Sequence, residues 1–295
     1  MLRTAAKKVY SLIPFKQPVY TALRKIWQPP EALWKHLHFR GVIMVPYSDE
    51  GDSVLIEHRG SISENILFWK GLDEWYERAS IKLWLECARN SSVIVDVGAN
   101  SGLYSLLAAK DNPEARVIAF EPIPDTFGWL SKNIALNHLD VQPEALAASN
   151  SNGLAEIWLD SPGSHYTPSL FQADQQTSSD GHRITVQTTT LDDYSTEQDL
   201  RHIDLIKIDV ERHEPAVLQG MRNLLTKSKP ILFIEVLDDE TGKLIEHELQ
   251  GLGYLYFNIH EPSGSVRRTD HITKADTYNY LCLQPEKLSA AGLGN

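Results

Sequence analysis

The stretch Val93-Ile-Val-Asp-Val-Gly-Ala-Asn-Ser-Gly102 decides how the rest of the chain is read. Apolar, mostly β-branched residues surround Asp96, a short run suited to a parallel strand buried on both faces. Gly98 and Gly102 interrupt it, and Leu103-Tyr-Ser-Leu-Leu-Ala-Ala109 resumes at helical spacing. In a strand, glycine turn and helix, the helix N-terminus offers N–H groups and a partial positive charge, and Gly98 is expected to let a ligand approach the backbone. Taken alone, such a turn can equally serve only the fold.

The second strand sharpens the reading. Arg116-Val-Ile-Ala-Phe-Glu121 ends in an acid nineteen residues beyond Gly102. A carboxylate there is placed to accept hydrogen bonds from the ribose hydroxyls of a nucleoside. The dinucleotide fingerprint G-x-G-x-x-G would need glycine where Asn100 and Leu103 stand. The D-x-G-x-x-x-G spacing fits an S-adenosylmethionine pocket better. Asp96, Gly98, Asn100, Gly102 and Glu121 are therefore the candidate cofactor-binding residues.

Bulk properties bound the rest. A chain of 295 residues suits one large α/β domain with an N-terminal addition. The expected division is a basic amphipathic arm over 1–40, a cap of strands and helix over 41–90, and the cofactor-binding domain over 91–295. No apolar run approaches membrane-spanning length, and no uninterrupted apolar segment marks a secretory signal. Cys87 and Cys282 are isolated and form no metal-type cluster, so no metal and a reducing, cytoplasmic setting are expected.

The net charge of −11 conceals an asymmetry. Residues 1–40 hold eight Lys or Arg against the single acid Glu31, a net +7 that leaves −18 for the remainder. An acidic body argues against nucleic acid as substrate. The basic arm, with Val9, Leu12, Ile13, Phe15, Tyr20, Leu23, Ile26 and Trp27 interspersed, reads either as a segment resting on an anionic membrane or as one packing on the body.

Gly41–Pro46 and Ser53–Glu57 read as two strands across an acidic turn, followed by a helix from about Leu72 to Ala88. Five tryptophans precede the first core strand, and their rings suit packing or stacking on a sugar acceptor. Beyond Glu121 strands and helices alternate, the pattern of a parallel sheet covered on both faces. Residues 155–160 and 183–188 suit an antiparallel insertion around a long loop at 161–182, which a compact domain keeps as a mobile or lid segment.

Along Ile203–Glu211, the alternation of a strand puts Lys207, Asp209 and Glu211 on one face. Buried unpaired, they would be costly; at a strand end opening into the ligand crevice they are tolerable. Lys207 is expected to be an ion-pair partner, and Glu235 ends the next strand within reach. Asp209, His213 and Glu235 are the candidate catalytic residues. His213, with an ordinary pKa near neutrality, is favoured as proton acceptor and Asp209 as the positioning group, provided a helix starting near Glu211 does not turn His213 away.

The segments VIVDVGANSGLYSLLAA, VIAFEPIPDTFGWLSKNIALN, TTLDDY and IDLIKIDVERHEPAVLQGM resemble the FkbM-type S-adenosylmethionine-dependent methyltransferases over roughly residues 90–260. The resemblance implies a class I methyltransferase fold, a seven-stranded sheet with its last strand antiparallel, and methylation of a hydroxyl on a sugar, glycan or polyketide-type molecule. Arg212 departs from the family pattern, standing where glycine usually follows the glutamate, and adds bulk and charge at the crevice rim. The competing classes are an NAD-dependent oxidoreductase on a similar sheet and a non-catalytic S-adenosylmethionine-binding protein.

Overall fold

Residues 15–159 and 182–294 are described by the computed structural model, and they divide in sequence between Trp75 and Tyr76. The loop expected over 161–182 lies outside the described residues except for His182.

In the first unit, strands β1 (Gly41–Pro46) and β2 (Ser53–His58) form the expected antiparallel hairpin. Ile43 and Val45 face inward from β1, Val54 and Ile56 from β2. The helix Ile62–Lys70 covers them. It begins with a capping box in which Ser61 accepts from the Glu64 N–H and Glu64 accepts from the Ser61 N–H. Tyr20, Phe39, Phe68 and Trp69 pack beside the hairpin, edge to face except for the tilted pair Tyr20 and Trp69. Pro18 does not break the first helix, Lys16–Leu23, because it lies in the opening turn, where its missing N–H has no partner to lose. Of the five early tryptophans, Trp34, Trp69, Trp75 and Trp84 are buried, whereas Trp27 is 44% exposed.

The second unit opens with the helix Arg78–Arg89. The expectation of a helix from Leu72 is corrected here: Leu72 to Glu77 form turns, and the axis starts where a distant cap permits it. Glu261 accepts from the N–H groups of Ala79 (2.7 Å) and Ser80 (3.2 Å), so a residue far along the chain satisfies the first-turn donors.

Strands β3 (Val93–Val97), β4 (Arg116–Phe120), β5 (Val141–Glu144), β9 (Leu205–Ile208) and β10 (Ile231–Glu235) run parallel. β11 (Leu255–His260), β12 (Ser265–Thr269) and β13 (Asn279–Leu283) complete the sheet in the order β12-β11-β13-β10-β9-β3-β4-β5. The final strand, β13, is antiparallel to β10, as expected. The count of seven is corrected to eight. β12 pairs only with β11 at the edge, and its Ser-Val-Arg-Arg-Thr sequence buries no side chain, so it carries no apolar signal.

A separate three-stranded sheet contains β6 (Ala147–Ala148), β7 (Gly153–Leu159) and β8 (His182–Thr189). β7 and β8 pair antiparallel as expected. The chain from Val141 to Ala148 is divided between two sheets, with Val141–Glu144 in the large one and Ala147–Ala148 in the small one. After β5 the chain crosses back over β4 and β3 to enter β9. The carboxyl ends of β3 and β9 thus flank the point where strand order reverses, the place where open α/β sheets receive ligands.

Candidate functional site at the ends of β3, β9 and β10

The glycine loop is shaped by the protein's own backbone. Gly98 has φ +79°, and a Cβ there would stand 2.0 Å from the Asp209 carbonyl oxygen. Its missing side chain admits the end of β9. Gly102, at φ +88°, likewise admits Leu130 from the helix Pro124–Asn137, with a Cβ position 2.5 Å from Leu130 Cδ1. Between them Asn100 takes a left-handed conformation at φ +52°, one that asparagine tolerates better than most residues.

Asp96 is 1% exposed and accepts from the Ser105 hydroxyl at 2.5 Å through Oδ2, while Oδ1 is buried without a protein donor. Burial raises its pKa against the opposing pull of Lys207. Glu121, just beyond β4, accepts from the N–H groups of Asn100 and Ile123, each at 3.0 Å. Burial pushes its pKa up to about 7 despite these bonds. Each carboxylate oxygen keeps acceptor capacity after one backbone bond, so both can still receive hydroxyls.

Asp209 stands one residue beyond β9, its Oδ2 2.7 Å from Lys207 Nζ. Lys207 is buried and also lies 4.8 Å over the ring centre of Tyr104. Burial opposes its charge, but Asp209, Asp96 and Glu77 outweigh burial and lift its pKa above the usual lysine value. Glu235 reaches Asp209, as its position on the next strand implied. Burial first, then the charges of Asp209 and Glu211, push its pKa up to about 10, and a hydrogen bond to Asp209 holds the proton there. Glu211 is pushed up to about 7 by burial and by Asp209. Five acids thus face one lysine, and Asp209 is the charge that bears on each of the other four.

The carboxyl-terminal turn of β9 is strained in a definable way. Glu211 and Arg212 both have positive φ, +55° and +76°, each disfavoured for a side chain with a Cβ. Glu214 holds the turn by accepting from the N–H groups of Val210 (3.0 Å) and Arg212 (3.2 Å) through Oε1. Arg212 therefore adopts a conformation suited to glycine. Its side chain lies against Asp238, Nε to Oδ2 2.6 Å, away from Lys207.

His213 does not join the carboxylates. It is 4% exposed, its Nε2 lies 2.9 Å from the Ser149 hydroxyl beyond β6, and burial alone lowers its pKa to about 4. The preference for His213 as proton acceptor rested on an unperturbed imidazole, and that premise fails here. His213 is the N-cap position of Glu214–Gln219 and turns inward; the helix begins at Glu214, after the left-handed residues Glu211 and Arg212, and not near Glu211.

Glu77 and Tyr76 were not singled out in sequence. Glu77 accepts from Asn279 Nδ2 at 2.9 Å, and burial raises its pKa while Lys207 opposes the rise. Tyr76 hydrogen-bonds Glu77 and feels both Asp209 and Glu235. An acid at a helix N-cap position reads as a cap; because Glu261 caps this helix instead, Glu77 is left to face the cluster.

The crowding has a measurable consequence. Glu121, Glu211, Glu214 and Glu235 hold their protons in the folded chain at pH values where the unfolded chain has released them, the ordinary value being 4.5. Their stabilising contribution is complete below that pH and is lost as pH rises through about 7 and, for Glu235, about 10. His58 and His213, held below the ordinary 6.5, act in the opposite sense only beneath that value. The melting temperature of the ligand-free protein is therefore expected to fall between pH 6.5 and about 8. A rise across that interval would mean the cluster is already ionised.

Residues 96–256, more than half of the chain, match the methyltransferase FkbM domain. The hexuronic acid methyltransferase AglP of Haloferax volcanii is 31% identical over 168 residues, covering 57% of this chain and 65% of that protein. The 2-O-methyltransferase NoeI of Sinorhizobium fredii is 30% identical over 158 residues, covering 50% and 64%. This chain therefore spans less than two thirds of the length of either relative. A solved structure of methyltransferase FkbM from Methylobacillus flagellatus superposes with a TM-score of 0.43 at 17% identity, covering 66% of this chain and 44% of that one. On the extent of the domain match, the chain belongs to the FkbM methyltransferase family.

Proposed function

We propose that the chain is an S-adenosylmethionine-dependent O-methyltransferase acting on a hydroxyl of a sugar, glycan or polyketide-type small molecule. The observation that carries this reading is the excess of acids around Lys207 at the strand ends. A site with that balance suits a cationic ligand, and S-adenosylmethionine carries both a sulfonium and an ammonium. The unpartnered buried oxygens of Asp96 and Glu235 and the spare acceptor capacity of Glu121 fit the same ligand. A dinucleotide pyrophosphate would bring two negative charges into the same field, which weighs against the oxidoreductase reading.

Bound S-adenosylmethionine would supply a methyl group already activated by positive sulfur. In this reading Glu121 holds the ribose and the loop from Gly98 to Gly102 shapes the bed beneath it. Asp209 takes the proton released by the acceptor hydroxyl as the new carbon–oxygen bond forms. Lys207 fixes the Asp209 carboxylate, and neutral Glu235 donates a hydrogen bond to it. His213, buried against Ser149, is a structural residue here. The relatives' names support oxygen as the receiving atom, NoeI being a 2-O-methyltransferase.

The test is thermal. S-adenosylhomocysteine at a hundredfold excess over its dissociation constant is expected to add about 2.7 kcal/mol to stability, a plain rise in melting temperature, and NAD at the same concentration none. A shift with NAD alone would transfer the chain to the oxidoreductases. A shift with S-adenosylhomocysteine in a chain that never turns over a panel of sugar and polyketide acceptors would favour the non-catalytic reading.

A further inference from the structure

The helix Lys16–Leu23 is apolar on two faces, and only one of them is covered. Tyr20 is buried against Phe39 and Trp69. On another face Val19, Ala22 and Ile26 follow the i, i+3, i+7 spacing of a single helical stripe, and Phe15 precedes them at the left-handed N-cap position. Lys25, Ile26 and Trp27 continue the helical turn through N–H bonds to Ala22 and Leu23. Phe15 is 78% exposed, Val19 57% and Ile26 84%; Trp27 and Leu33 are exposed nearby. Half of the exposed large apolar side chains among the described residues thus fall within Phe15–Leu33. Scattered single exposures need no explanation, but a stripe of them does.

The charge around the stripe points to what covers it. Lys25 and Arg40 are exposed, and the forty-residue segment carries +7 while the rest of the chain carries −18. Arg24 and Lys35 are already engaged, with the Phe68 carbonyl and with Glu31. An apolar stripe among cations, on a chain otherwise strongly acidic, matches an anionic lipid surface: apolar side chains enter the acyl boundary while lysines meet headgroup phosphates. A second copy would bring the same positive segment against itself. Among the described residues no helix is long and apolar enough to cross a membrane, so the contact would be peripheral.

We propose that the face formed by Phe15, Val19 and Ile26, with Lys25 beside it, docks this protein reversibly on anionic membranes. The full-length protein is expected to sediment with phosphatidylcholine–phosphatidylglycerol vesicles, far less with pure phosphatidylcholine, and to be released by salt. Ile26→Asp and Val19→Asp lie on the exposed stripe and should leave the melting temperature unchanged, yet each should weaken partitioning by more than about tenfold. Lys25→Ala should weaken it about fivefold. Equal sedimentation of the native and Ile26→Asp proteins, or indifference to vesicle charge, would overturn the proposal. Failure to bind vesicles together with a concentration-dependent dimer that Ile26→Asp dissolves would also overturn it, and would assign the face to a second copy of the chain.

Discussion

Asp209→Asn is expected to lower turnover by roughly 10²–10⁴-fold, the range removed with a positioned proton acceptor. The amide keeps the size of the carboxylate and loses its charge, so the change tests basicity with little change of shape. Orientation of the reacting groups, worth roughly 7–11 kcal/mol, remains in the variant, which should therefore be crippled without being silent. The choice of Asp209 follows from its neighbours. Lys207 holds one carboxylate oxygen at 2.7 Å, and Glu235, pushed up to about 10 by burial and by the charge of Asp209, keeps its own proton. Glu235 therefore donates a hydrogen bond to Asp209 and leaves Asp209 to receive the acceptor's proton. Glu235→Gln preserves the neutral donor and should cost much less. Turnover should be measured with cofactor affinity alongside. Native turnover in Asp209→Asn would hand the proton to Glu211 or Glu235, and a pure loss of affinity would make Asp209 a cofactor ligand.

The sheet was legible because buried parallel strands are nearly continuous apolar runs, and Val93–Val97, Arg116–Phe120 and Ile231–Glu235 each carry four apolar residues out of five. β12 was not, since an edge strand can be held by backbone bonds while its arginines stay in water. The grouping of Lys207, Asp209 and Glu235 follows from strand periodicity and neighbouring strand ends, both local properties. Glu77 reaches the cluster only because Glu261, 184 residues later, caps its helix, and no local pattern encodes that exchange. The placement of His213 turned on a two-residue left-handed step at Glu211 and Arg212. Sequence argues against such a step, because neither residue prefers positive φ. Glu214 supplies the acceptor that makes it tolerable, and strained turns of this kind concentrate at functional sites.

Gly98→Ala should be among the most damaging single substitutions in the chain, because the clash it creates is with backbone on a fixed ladder. The new Cβ would sit 2.0 Å from the Asp209 carbonyl oxygen and 3.0 Å from its carbon. Asp209 cannot retreat freely, since its N–H donates to Val97 at 3.1 Å, and the Gly98 N–H is tied to Phe120 at 3.0 Å. Left-handed strain adds about 1–2 kcal/mol and overpacking about 1–3 kcal/mol, so a loss of about 2–5 kcal/mol is expected. Gly128 provides the contrast. It lies within the helix Pro124–Asn137 with open space around its Cβ position, and alanine there should stabilise by about 0.4–1 kcal/mol. Urea midpoints of the two variants should therefore move in opposite directions from that of the native chain. The stability loss should also bring a functional loss in Gly98→Ala molecules that do fold, because a shift of about 1 Å in Asp209 is worth on the order of 10²-fold in rate. A Gly98→Ala protein with native midpoint and native turnover would mean that β9 yields easily at Asp209. The rigid pairing of β3 and β9 would then not be what positions the proton acceptor.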